Sequence, residues 1–217
     1  MSSFPGSPYV VKGGIVLINP VTAAVERIIT LQYNPDSLTR TLQVQGMEGD
    51  SGVQSEALRL KGPPVETLKL EAELDATDQL ASEDPGAVQS GIQAQLAALE
   101  TIIYPKSAQL LNNNKLANSG NLEIIPMEAP LTLFIWNKNR ILPVRITEFS
   151  ITEEAFDVNL NPIRAKISLG MKVLNVDNLG FDSKGSSIFM NYLQNKERLA
   201  GMAPGGSLNT LGITNIL

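Results

Sequence analysis

The chain contains no cysteine and no histidine. The first absence removes disulfides, thiol nucleophiles and the usual cysteine-bearing zinc sites. The second removes Ser-His-Asp triads and imidazole acid–base work. Paired carboxylates or a Ser-Lys arrangement would remain for an enzyme, but no motif in the sequence arranges them. The expectation is a binding or structural protein, not an enzyme, with no cofactor and no metal. Aromatic residues are scarce, at 5% with Trp136 as the single tryptophan. That is thin material for a glycan-binding groove built from exposed rings.

Long apolar runs are missing as well. No stretch approaches the ~18 continuous apolar residues of a membrane span, so no direct membrane insertion is expected. The opening "MSSFPGSPYV" lacks the basic and apolar segments of a secretion signal. The reading is a protein made without a signal peptide, which stays in the cytoplasm unless a larger particle carries it out. A net charge of -5 without clustered Lys and Arg argues against nucleic acid as a partner.

What is present suffices for a folded domain: 217 residues, 43% of them hydrophobic, can bury a sizeable core. Residues 1–13 are rich in Ser, Gly and Pro and read as a flexible N-terminal arm. "GIVLINP" (14–20) reads as a short buried strand and "RIITLQYN" (27–34) as a half-buried one. Asn34-Pro35-Asp36-Ser37 is strong turn chemistry. Because "LTRTLQVQG" (38–46) resumes alternation at once, residues 27–46 read as a hairpin or a sharply bent strand pair. "MEGDSGVQSE" (47–56) reads as a loop.

The clearest strand pattern lies in residues 57–78, where Leu68, Leu70, Ala72 and Leu74 alternate with Lys69, Glu71, Glu73 and Asp75. Asp84-Pro85 then offers an N-cap and a first-turn proline. Val88, Ile92, Leu96, Leu99 and Ile103 follow at helical spacing, predicting one packed helix over 85–104, about 28 Å long. Residues 106–121 read as a polar loop or frayed extension. Residues 130–156 read as a strand, a turn at Asn137-Lys138-Asn139 and a longer strand. The apolar parity of that longer strand switches between Ile146 and Phe149, predicting a bulge near Thr147-Glu148. "IRAKISLGMKVLNV" (163–176) alternates throughout. After Asn178, residues 186–201 can form a short helix, and 202–217 is Gly-rich yet keeps Leu208, Leu211, Ile213, Ile216 and Leu217. A merely solvated tail carries fewer large aliphatics, so the arm over 179–217 is read as a C-terminal helix with a docking tail.

Two motifs carry a resemblance. "LQYNPDSLTRTLQ" holds Tyr33, Asn34, Pro35 and Leu38; the segment after Ile151 holds Phe156, then Asn161, Pro162 and Arg164. In this order, with the strand-then-helix region between them, they resemble the tube and baseplate adaptor proteins of phage-tail-like contractile injection systems, over roughly residues 15–176. The resemblance implies a mainly β fold (β+α) over 14–178, a two-sheet antiparallel barrel-like domain with a helix at its side. It also implies self-association into a homo-hexameric ring around a channel. Implied partners are inner-tube subunits and the spike or hub and other baseplate proteins. The polar faces at Lys69, Glu71 and Glu73, or at Gln43, Gln45, Arg164, Lys166 and Ser168, would line the lumen or the ring exterior. Adaptors of this kind often end in a LysM module. Residues 179–217 lack its strand-helix-helix-strand pattern, and "YVVKGGIVLIN" (9–19) opens like one but continues as strand.

Three functions follow: a tube initiator at the baseplate end joining spike to tube, the repeating tube subunit, and a glycan- or peptidoglycan-binding module. The extra terminal arms favour the first over the second, because they would crowd a repeating stack.

Overall fold

The computed structural model describes residues 10–46, 59–119 and 129–216. Most of the expected arm at 1–13, and all of the loop at 47–56, lie outside them. Among the described residues seven strands form one antiparallel sheet: β1 Gly14–Ile18, β2 Val25–Thr30, β3 Leu38–Gln43, β4 Val65–Asp75, β5 Leu131–Asn137, β6 Arg140–Phe156 and β7 Pro162–Val173, in the spatial order β2-β1-β5-β6-β7-β4-β3. The helices are α1 Thr77–Ala81, α2 Pro85–Ser90, α3 Gln93–Glu100, α4 Ser107–Asn118, α5 Val176–Leu179 and α6 Lys184–Gly201, followed by a short 3-10 turn at Leu208–Leu211. The mainly β expectation with packed helices holds.

Alternation locates the core. On β4, Leu68, Leu70, Ala72 and Leu74 are buried, and in register opposite them on β7 stand Met171, Leu169, Ile167 and Ala165, also buried. The other parity pairs Glu71 with Ser168, Glu73 with Lys166 and Asp75 with Arg164. Ion pairs Lys69–Glu148, Lys166–Glu154 and Arg164–Asp75, each at 2.8 Å, cross this outer face. Exposed pairs of this kind contribute at most about 1 kcal/mol each, so the apolar face holds the fold and the polar face is left free for another use.

The expected bulge is present: the β6–β7 register shifts between Ile146 and Glu148. Gly170 sits opposite, where an added Cβ would meet the Glu148 Cβ at 2.7 Å. Before the bulge β6 pairs with β5, and after it only with β7. One long bent strand thus serves two halves of a continuous ladder, instead of two separate sheets.

Three expectations are corrected. Residues 27–46 are not a hairpin: β2 pairs with β1 and β3 with β4, at opposite edges of the sheet. The sheet is not a closed barrel, because no ladder joins β2 to β3. The helix over 85–104 is two helices, broken at Gly91, whose φ of 57° leaves the right-handed region. Ile92 N–H donates to Pro162 O at 2.8 Å across that break, and an added Cβ on Gly91 would stand 2.0 Å from the same oxygen. Backbone contact with the β6–β7 loop overrides helix continuation here. Of the apolar stripe, Ile92, Leu96 and Leu99 are buried while Val88 and Ile103 are exposed.

A division at residue 178 does not coincide with a gap in packing. Phe189 and Tyr192 of α6 belong to the same core cluster as the inward residues of β4 and β7, and Ile188 packs against the smaller cluster of Ile18, Leu131 and Leu133. The helix starts at a Ser183 cap, whose hydroxyl accepts from Ser186 N–H.

Candidate functional site

The first motif lies in the connection from β2 to β3, and its role is visible in what it touches. Asn34 Oδ1 accepts from Gly13 N–H at 3.0 Å, and Asn34 Nδ2 donates to Val11 O at 2.9 Å. Both bonds tie the corner to the chain entering β1. Two residues earlier, Gln32 Nε2 donates to Asp75 O at 2.6 Å while Gln32 Oε1 accepts from Asp75 N–H at 3.0 Å. The side-chain amide thereby copies one rung of a β ladder at the end of β4. Tyr33 is half exposed, and Pro35 and Leu38 are partly buried.

This contact sets the shape of the sheet. In a flat sheet β2 and β4 would stand five strand spacings apart, about 24 Å. Gln32 lies two residues beyond β2, a reach of at most ~7 Å of backbone. The sheet must therefore curl until its edges nearly meet, and the Asn-Pro corner bridges the seam that no ladder closes. Replacing Gln32 with Leu is expected to lower stability by about 1–3 kcal/mol, because the Asp75 amide and carbonyl lose their partner. Urea unfolding checks this, with an unchanged m-value distinguishing a lost staple from a changed compactness.

The second motif closes the β6–β7 hairpin. Asp157 organises the loop: its Oδ1 accepts from Asn159 N–H (2.7 Å) and Asn161 N–H (2.8 Å), and its Oδ2 accepts from Asn161 Nδ2 (2.8 Å). The Asn161 hydrogen bonds hold the Asp157 carboxyl below its ordinary range. Leu160 takes a φ of 63° inside this loop. Pro162 is buried and offers its carbonyl to Ile92. Phe156 is half exposed. Arg164 Nε donates to Asp75 Oδ2 at 2.8 Å.

The two motifs therefore meet at Asp75, whose backbone bonds Gln32 and whose carboxylate bonds Arg164 and the Thr77 hydroxyl and amide. The Thr77 hydrogen bonds, then Arg164, lower the Asp75 pKa. Sequence reasoning found Arg164 and the corner residues but missed Gln32 and Asp75 as the link between them, since nothing local marks a side chain that replaces a ladder rung.

A second cluster was also missed. Glu66, 4% exposed, accepts from Arg40 Nε (2.9 Å) and Nη2 (2.6 Å), and from Lys196 Nζ at 3.2 Å. Tyr192 hydroxyl accepts from Arg40 Nη2 at 2.8 Å and donates to Glu66 Oε1 at 3.2 Å, with the Lys196 ammonium 4.3 Å from its ring centroid. The signal was available: Glu66 shares the inward parity of Leu68 and Leu70. Burial raises the Glu66 pKa, yet the Arg40 hydrogen bond and the charges of Lys196 and Arg40 outweigh it and leave the carboxyl below its ordinary value. The network clamps α6 to β3 and β4.

Glu66, Tyr192 and Lys196 of the second cluster border a cleft with Pro63, Pro64, Phe189 and Leu193, and there they are engaged with one another. Among the described residues no group of three or more carboxylates gathers as a metal site, and no helix is long and apolar enough to cross a membrane. What the arrangement does is mechanical: it fixes the curl of the sheet, the long hairpin and the helix against it.

No curated protein sequence matches the chain. Among solved structures, a chain from the tail of an empty GTA (gene transfer agent) particle, refined with C6 symmetry, is similar at 13% identity, covering 75% of this chain and 90% of that one, with a TM-score of 0.29. At so low a superposition score the assignment rests on sequence. The sequence profile of contractile injection system tube proteins matches residues 18–179, a span that contains both motifs, the seam and the whole of β6 and β7, and the chain belongs to that family.

Proposed function

We propose that the protein is the tube initiator: a ring of six copies at the baseplate end of the inner tube, joining spike or hub to tube subunits and templating their assembly, without catalysis or cofactor. The observation that carries this reading is the chain beyond the matched segment. The family match ends at residue 179, whereas α6 and the residues after it continue to 217. The segment from Met202 to Ile216 exposes Leu211, Ile213 and Ile216, which suits docking on a neighbouring ring of different composition. A subunit repeated along the whole tube has no use for an asymmetric docking segment on every copy.

The polar outer face of β4, β6 and β7, with its alternating charges, is the surface assigned to the channel. The edges at β2 and β3 carry unpaired backbone groups that neighbouring copies can cover.

Light scattering over a concentration series, with and without tube subunit and hub, tests the reading, followed by negative-stain imaging. Rings that nucleate tube from added subunit are expected. A strictly monomeric species that ignores both partners defeats it, and self-assembly into long tubes by the purified chain alone favours the repeating subunit instead.

A further inference from the structure

The β6–β7 loop presents bare aliphatic side chains on a rigid support. Val158 is 98% exposed and Leu160 77% exposed, and the Asp157 hydrogen bonds described above hold the loop that carries them. Exposed apolar residues at a loop tip ordinarily lose nothing by being polar, so a rigid pair of them marks a contact surface.

At the far end of the β4–β7 axis lies a cleft of about 260 Å³ between α6 and the entry to β4, lined by Pro63, Pro64, Phe189, Tyr192 and Leu193, with the ion-paired Glu66 and Lys196. Along β4 the nine residue steps from Glu66 to Asp75 separate the two ends by about 30 Å. The cleft holds several times the ~30 Å³ share of one water molecule, room enough for an aliphatic side chain.

Charge is segregated along the same axis. Near the loop stand Asp78, Glu83, Asp84, Glu153 and Asp157, none of them in an ion pair among the described residues, while Arg164 and Lys166 are already matched to Asp75 and Glu154. On the segments that border the cleft stand Lys61, Lys138, Arg140 and Arg198 against Asp177 and Glu197, while Arg40 and Lys196 are already matched to Glu66. An acidic end bearing an apolar knob faces, in a second copy, a basic end bearing an apolar cleft.

We infer that copies of this chain associate head to tail, the Val158–Leu160 loop of one seating in the α6 cleft of the next. The contact is heterologous: two different patches meet, so it propagates from copy to copy, and it closes into a ring when the rotation between copies closes. Opposite charge at the two patches steers the encounter and disfavours loop-to-loop pairing. This inference rests on the ring-forming reading given above and names the surfaces that would join the ring.

The absence of native cysteine makes disulfide trapping clean. In the full chain, Leu160→Cys combined with Pro64→Cys should give a ladder of covalent oligomers under mild oxidation. A mixture of the two single variants should stop at dimers. Val158→Asp with Leu160→Asp should raise the concentration for half-assembly roughly tenfold or more, the loss of about one buried aliphatic contact, while leaving the thermal melt of the subunit unchanged. If the unmodified chain oligomerises but Leu160 and Pro64 never cross-link, or if Leu160→Cys alone links to itself efficiently, the contact is wrong and the ring reading survives. If the chain is monomeric at every concentration, the ring reading falls first.

Discussion

Truncation after Asn178 is expected to abolish the cooperative melting transition, whereas truncation after Met202 should leave it within about 2 °C of the full chain. The shorter product loses Phe189 and Tyr192, both 6% exposed and both in the main core cluster. Removing a buried aromatic side chain costs about 3–5 kcal/mol, and two of them approach the whole 5–15 kcal/mol stability of an ordinary domain. The same cut takes Lys196 and the Tyr192 hydroxyl away from Glu66, leaving Arg40 as its remaining ion-pair partner. Residues 203–216 are exposed throughout, so their removal takes little from the core. Circular dichroism melts on both products check the contrast. The longer product should then fold and yet build few complete particles, as counted by electron microscopy; normal particle assembly would remove the docking role of the tail.

This boundary was not legible because helix packing is non-local. The stripe of Ile188, Tyr192 and Leu193 marks α6 as amphipathic, but amphipathicity does not say whether the covering surface is the chain's own sheet or another molecule. β7 was legible because Ala165, Ile167, Leu169, Met171 and Val173 are buried on a two-residue period, the first four of them in register with β4. β2 was legible only as a strand, not in its place: it is an edge strand with Val25 and Ile28 exposed, and the two-residue period predicts two faces rather than position in a sheet. The Asn-Pro corner shows the same limit. Its turn chemistry is local and was read from four residues. The partners it separates are β1 and β4, and strand pairing is decided by contacts far apart in the chain. Gly91 reads in sequence as a small penalty within a helix; only the nearness of Pro162 O turns it into a break.

Glu66→Ala is expected to destabilise the protein by about 3–5 kcal/mol, because removing one partner of a buried ionic network leaves the others uncompensated. Arg40 would keep a guanidinium beside the core with only the Tyr192 hydroxyl to meet it, and Lys196 would lose its carboxylate. The pH dependence follows from the lowered folded-state pKa. A carboxyl whose folded pKa lies below its unfolded one stabilises fully above the unfolded value, near pH ~4.3 for Glu. That contribution is lost as pH falls from there through the folded value, since the unfolded chain binds the proton first. Acid unfolding of the native chain should therefore steepen below about pH 4.3, and Glu66→Gln should flatten that limb while lowering stability at neutral pH. A control separates the cost of orphaned charge from the worth of the network itself: Arg40→Met, Glu66→Leu, Tyr192→Phe and Lys196→Met together replace every member by an apolar group. Substitutions of this kind are often neutral or stabilising, so the fourfold variant should recover most of what Glu66→Ala loses. If it melts as low as Glu66→Ala, the network supplies stability in its own right, and the clamp on α6 depends on charge rather than on the packing of Phe189 against the sheet.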